Sequence, residues 1–117
     1  MLYDLKLIDD ALHRYWVGAS NKQILANAGR LAGYNVQVRV PLIPGITDTD
    51  ANLHDIFTFM RQSGLGRVAL LPYNPSAGAK YEWLGVDYAI TAAPQTTDAL
   101  QRMGSMAEQA GLQVEIH

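Results

Sequence analysis

The chain has 117 residues, 49% of them hydrophobic and 17% charged, with a formal net charge of −2 and no cysteine. That composition fits one globular domain able to bury a core, and the slight negative charge argues against nucleic acid or an anionic membrane as partner. Disulfides, thiolate-held metals and iron–sulfur clusters are excluded on this chain. No apolar run is long enough to span a bilayer, and no basic region followed by an apolar one opens the chain, so a cytoplasmic location is expected.

In chain order, Leu2 to Leu7 reads as a strand. Its alternation sends Asp4 and Lys6 to the same side. A short helix near Asp9 to Trp16 follows, capped by Asp9 or Asp10 and ended by Gly18. Ser20 with Gln23 resembles a capping box ahead of a helix striped by Ile24, Leu25, Ala28, Leu31 and Ala32, with Gly33 as its stop. "VQVRVPLI" predicts a second strand, with Val36, Val38 and Val40 on one face and Gln37 and Arg39 on the other. Pro44-Gly45 centres a turn. A cap among Thr47 to Thr49 then starts a helix striped by Leu53, Ile56, Phe57 and Met60, which Gly64 ends. "RVALLPY" predicts a strand apolar on both faces, as in a buried parallel sheet. A long loop, "NPSAGAKYEWLGVDY", leads to a last helix begun by Pro94 and striped by Leu100, Met103, Ala107 and Ala110. After Gly111, "LQVEI" alternates as a final strand.

Strands recur about every thirty residues with helices between them, which is the βαβ unit and implies parallel strands. The class is α/β: a small open sandwich, or part of a barrel, since a closed eight-fold barrel needs roughly twice this length. In such folds ligands sit beyond the carboxyl ends of the strands. There the sequence places Asp4 and Lys6, then Arg39, then Tyr73 and Asn74. Lys6 and Arg39 suit a carboxylate or phosphate, and Asp4 suits an ammonium or a cation. Taken singly, each is as well explained as a surface residue or a weak ion pair of roughly 0–1 kcal/mol. His13, His54 and His117 are too far apart for metal-ligand spacing. His13 and His54 read as solvent-facing helix residues and His117 as a tail. Tyr15 with Trp16, and Tyr81 with Trp83, read as packing residues. "GAS" at Gly18 to Ser20 follows no strand, so it is no nucleophile elbow.

Four stretches in order, "YDLKLID", "VGASN", "VRVPLIPGITD" and "LLPYNPSAGAKYEWLG", resemble the C-terminal part of the glycyl-radical-enzyme activating enzymes, radical S-adenosylmethionine proteins typified by the pyruvate formate-lyase activators. The resemblance covers Leu2 to about Ile116. It implies a partial (βα)6 TIM-like barrel with parallel strands and helices outside, of which residues 1–117 form the C-terminal half. It further implies a 4Fe-4S cluster on an N-terminal cysteine loop and S-adenosylmethionine as cofactor. The implied partners are the glycine loop of a glycyl radical enzyme and a flavodoxin or ferredoxin-type electron donor.

By the same resemblance Asp4 and Lys6 lie at the cofactor, with Asp4 also a candidate for a monovalent cation. Arg39 contacts the methionyl part, and Asn74 sits near the adenosine, where pyruvate formate-lyase activators are expected to carry His. The loop from Pro75 to Gly85 helps to shape the partner-docking face. The cysteine loop and the Gly-Gly-Glu stretch that contacts the cofactor's amino group are absent from this sequence. The chain is therefore expected to be cut from a longer protein or to be a natural remnant, with no cofactor bound and no activity alone. An exposed first strand and inner face predict self-association. Two other readings are a stand-alone α/β binding module without radical chemistry, and an aldolase-like half barrel with Lys6 as the Schiff-base lysine.

Overall fold

The computed structural model describes residues 2–74 and 93–117. Tyr81, Trp83 and the expected docking loop from Pro75 to Gly85 lie outside the described residues. Four strands, β1 (Leu2–Asp4), β2 (Gln37–Pro41), β3 (Arg67–Leu71) and β4 (Gln113–Ile116), form one sheet in the order β1-β2-β3-β4. All three pairings are parallel, as the βαβ rhythm requires. Between them run α1 (Asp10–Val17), α2 (Lys22–Arg30), α3 (Asp50–Ser63) and α4 (Thr97–Gln109).

One face of the sheet makes the core. Leu5, Val38, Val40, Val68 and Leu70 are buried there against Ala28 of α2, Leu53, Ile56, Phe57 and Met60 of α3, and Met103 and Ala107 of α4. These are the apolar stripes that helical periodicity marks out. Gly104 allows α4 to come down onto β4, because a Cβ there would stand 3.2 Å from the Ile116 side chain. A smaller cluster of Leu7, Ile43, Ile46 and Tyr73, with Trp16 packed against it, closes the carboxyl end of the strands.

The other face is different in kind. Asp4, Arg39, Ala69 and Glu115 are register partners across the four strands and so project from one side of the sheet. Asp4 and Glu115 on that row are exposed and Arg39 is half-buried, while Leu2, Arg67 and Gln113, one repeat earlier, are exposed. Parallel sheets are ordinarily covered on both faces. Among the described residues this one carries helices on one face, and on the other Asp4, Arg39 and Glu115 flank Ala69, which is 1% exposed. The expectation that β3 is apolar on both faces holds only for Val68 to Leu70, which are buried, whereas Arg67 is exposed and Leu71 half-buried.

Several local expectations shift. The first strand stops at Asp4, not Leu7. Leu5 still donates its backbone N–H to Arg39. Beyond it, side chains take the backbone groups that a longer ladder would use. The box at Ser20 and Gln23 does not form: Asn21 holds the cap position without a side-chain cap bond. The Asp10 carboxylate of α1 instead accepts from the Asn21 N–H and the Ser20 hydroxyl, each at 2.9 Å, and Gln23 donates to Asn27. Helix α2 ends at Arg30 and leaves Ala32 exposed. Thr96, not Pro94, caps α4 by accepting from the Ala99 N–H. Thr49 and Asp9 cap α3 and α1 in the same manner. His13 is buried, only 3% exposed, with Nδ1 2.6 Å from the Ala19 carbonyl. A carbonyl only accepts, so Nδ1 donates, and His13 locks the α1–α2 corner rather than facing solvent. Tyr15 is exposed rather than packed, with its ring edge-on to Trp16.

The corner has a consequence for acid stability. The Asn21 N–H first, then Arg14 and Ser20, lower the Asp10 pKa from 3.8 to about 2. A carboxylate depressed in the folded state adds stability that is full above its unfolded pKa and fades as pH falls through the folded value. Thermal melts of the chain should therefore lose this contribution between about pH 4 and pH 2. Asp10→Asn should flatten the pH dependence in that window, and an unchanged slope would show that Asp10 does not hold the corner.

Candidate functional site

Because the strands are parallel, their carboxyl ends lie at one end of the sheet; Asp4, Lys6 and Asn74 fall there, whereas Arg39, expected to end its strand, is the middle residue of β2. Asp4 is the last residue of β1 and pairs in register with Arg39 of β2. The register therefore brings this carboxylate and this guanidinium onto neighbouring strands, about 4.8 Å apart between backbones. Lys6 lies past the end of β1 in a half-buried stretch, and Asn74 follows β3, exposed. The described residues of the loops that follow β1, β2 and β3 lie at the same end.

Those loops are fixed by buried side-chain amides and hydroxyls, which the sequence reading did not single out as a group. Asn21, 2% exposed, donates from Nδ2 to the Leu7 and Ile8 carbonyls at 2.9 and 2.8 Å. Asn52, 7% exposed, donates from Nδ2 to the Lys6 and Thr47 carbonyls at 2.7 and 2.8 Å and accepts from the Ile8 N–H at 3.1 Å. The Thr47 hydroxyl donates to the Pro41 carbonyl and accepts from the Ile43 N–H. Pro44-Gly45 forms the expected turn. Gly45 takes a φ of +76°, the Ile46 N–H reaches the Ile43 carbonyl, and Asp48 accepts from the Gly45 N–H. Gln95, just ahead of α4, donates from Nε2 to the Leu42 carbonyl and to Asp48, and accepts from the Tyr73 N–H at 2.7 Å. A helical pattern could have flagged Asn52. It lies four residues before Ile56, on the buried stripe of α3, where a polar side chain needs a partner.

Elsewhere, Tyr3 donates its hydroxyl to the Ile24 carbonyl at 2.6 Å, and burial raises its pKa. A cavity of about 840 Å³ opens between α3 and α4, lined by residues including His54, Phe57, Arg61 and Met106. It belongs to the outer helical layer and takes no residue from the strand ends. His54 is exposed, as expected. Among the described residues no three His, Cys, Asp or Glu side chains gather to hold a metal ion, and no helix is long and apolar enough to cross a membrane.

No family model matches the chain. Individual relatives do. The chain is 36% identical over 104 residues to the choline trimethylamine-lyase activating enzyme of Oleidesulfovibrio alaskensis, covering 84% of this chain and 34% of that protein. It is 32% identical over 118 aligned positions to the pyruvate formate-lyase 1-activating enzyme of Escherichia coli, covering 97% of this chain and 48% of that one. The chain is a homologue of the glycyl-radical-enzyme activating enzymes. It spans between about a third and a half of the length of these activating-enzyme relatives. Among solved structures, a domain of pyruvate-formate lyase-activating enzyme from Bacteroides vulgatus shares the fold. The TM-score is 0.77 at 22% identity, over 99% of this chain and 65% of that one. The parallel sheet with helices on its outer face is thus the architecture of an activating-enzyme domain.

Proposed function

We propose that this chain supplies the cofactor-facing C-terminal part of a radical S-adenosylmethionine activase whose target is a glycyl radical enzyme. The single observation that carries the reading is the pairing of Asp4 with Arg39 on the sheet face opposite the helices, in a homologue of the activating enzymes. Asp4 and Arg39 stand side by side on that face near the strand ends. A carboxylate next to a guanidinium fits the ammonium and carboxylate of an amino-acid moiety, so the residues suit the methionyl part of S-adenosylmethionine. In this role Arg39 binds the carboxylate, Asp4 attracts the ammonium or a monovalent cation, and Lys6 adds positive charge at the mouth. Asn74 offers an amide that donates and accepts to the adenosine without titrating. When bound and reduced, the cofactor supplies the deoxyadenosyl group that takes a hydrogen atom from the target glycine.

The 4Fe-4S cluster does not fit this chain, which has no thiolate to hold it. Its cysteines, and the docking of a flavodoxin or ferredoxin-type donor, belong to sequence beyond these residues. The chain alone is therefore inactive in this reading. The test is anaerobic reconstitution, with iron and sulfide, of a cysteine-loop protein carrying this segment. With dithionite as the electron source, reductive cleavage of S-adenosylmethionine to methionine and 5′-deoxyadenosine is expected. A reconstituted cluster with no cleavage would leave the stand-alone binding module as the reading.

The exposed first strand bears on association. Among the described residues β1 pairs only with β2, and Leu2 on it is 58% exposed. Uncovered edges and faces recruit other chains. The isolated chain should elute from size exclusion as a dimer at micromolar concentration, and a monomer under those conditions would show that this surface is tolerated by water.

A further inference from the structure

We propose that Asn52 and Gln95 are positioning residues, a pair of amide clamps that set the spacing of the three loops following β1, β2 and β3, two of which carry the cofactor-side residues Lys6 and Asn74. The proposal rests on the functional reading above and adds two residues to it. Asn52 is seated in the first turn of α3, yet none of its three long-range or loop bonds serves that helix. One Nδ2 hydrogen goes to the Lys6 carbonyl after β1, the other to the Thr47 carbonyl after β2, and Oδ1 takes the Ile8 N–H. A primary amide is the side chain that can donate twice and accept from one planar group. Gln95 repeats the device one strand along, bonding Leu42 and Asp48 after β2 and the Tyr73 N–H after β3. Lys6 is itself one of the clamped residues, and Asn74 is the neighbour of another.

The geometry separates positioning from mere stability. Asn21 is buried too and also donates two bonds, but both go to the single loop after β1, at Leu7 and Ile8. It joins that loop to α2 and does not bridge two strand ends. Asn21→Asp and Asn52→Asp each replace two buried donors with an acceptor facing two carbonyls, so both should destabilise. Only Asn52→Asp should change the distance between the loops after β1 and β2.

Two measurements test this. On the free chain, backbone NMR of Asn52→Asp should show shifts at both Lys6 and Thr47 with Tyr73 unmoved, and Gln95→Glu should move Leu42 and Tyr73 with Lys6 unmoved. In the cluster-loaded protein carrying this segment, Asn52→Asp should raise KM for S-adenosylmethionine at least tenfold, with kcat within about threefold. Asn21→Asp should lower Tm comparably with KM within about threefold. Equal KM changes in the two variants, or a KM in Asn52→Asp within twofold of the unsubstituted protein, would overturn the positioning role. Failure of the unsubstituted loaded protein to bind S-adenosylmethionine sinks the functional reading and the clamp's role with it. That failure is recognisable because it appears without any substitution.

Discussion

Replacing Arg39 by alanine should raise KM for S-adenosylmethionine by about 10- to 100-fold in a cluster-loaded protein carrying this segment, while the fold stays intact. The size follows from losing a charge-assisted hydrogen bond, about 1.5–3 kcal/mol, at about 1.4 kcal/mol per tenfold. The selectivity follows from position. Arg39 projects from the polar face, half-buried, while its neighbours Val38 and Val40 point into the core and are fully buried. Removing its side chain opens no cavity among them, so Tm should move by no more than a few degrees. Arg39→Lys should recover part of the binding, because a lysine restores the charge but not the planar fork that holds a carboxylate with two parallel bonds. A KM unchanged in Arg39→Ala would remove the methionyl-binding role and leave Arg39 as a solvated residue with a buried stem.

The largest effect on stability is expected at Phe57. Its side chain is 2% exposed in the core cluster that joins α3 to β2, β3 and α4. Phe→Ala in such a site costs about 3–5 kcal/mol, the lost transfer energy plus a cavity. A domain of this kind has roughly 5–15 kcal/mol in total. At about 4–6 °C per kcal/mol, Tm should fall by roughly 12–30 °C. Phe57→Leu, which retains most of the volume, should cost much less. Thermal and urea melts of both variants decide the matter. A drop of only a few degrees in Phe57→Ala would mean that α3 does not dock on the sheet as described.

The activating-enzyme relationship and these two residues illustrate different kinds of legibility. Phe57 was readable because Leu53, Ile56, Phe57 and Met60 recur at helical spacing, and all four are buried. Arg39 was readable as an outward residue between two inward valines. His13 was not readable. A lone histidine on a short helix looks solvent-facing until the Ala19 carbonyl, six residues on, turns back to meet it. Asp10 likewise looked like a cap for its own helix, and instead it holds the start of the next one.

By itself the sequence determined the order of strands and helices, their stripes, the Pro-Gly turn, the parallel α/β class and the family resemblance, since each rests on residues close together in the chain or on motifs in order. Tertiary structure decided the rest. That Asp4, Arg39 and Glu115 share one sheet face depends on register across four strands. That the first strand stops at Asp4 depends on Asn21 and Asn52 satisfying the next carbonyls in place of a ladder. The bonds that space the loops run from Asn52 to Lys6 across 46 residues and from Gln95 to Leu42 across 53. No local pattern reports them, because a buried amide finds its partners only after the backbone has brought distant loops together.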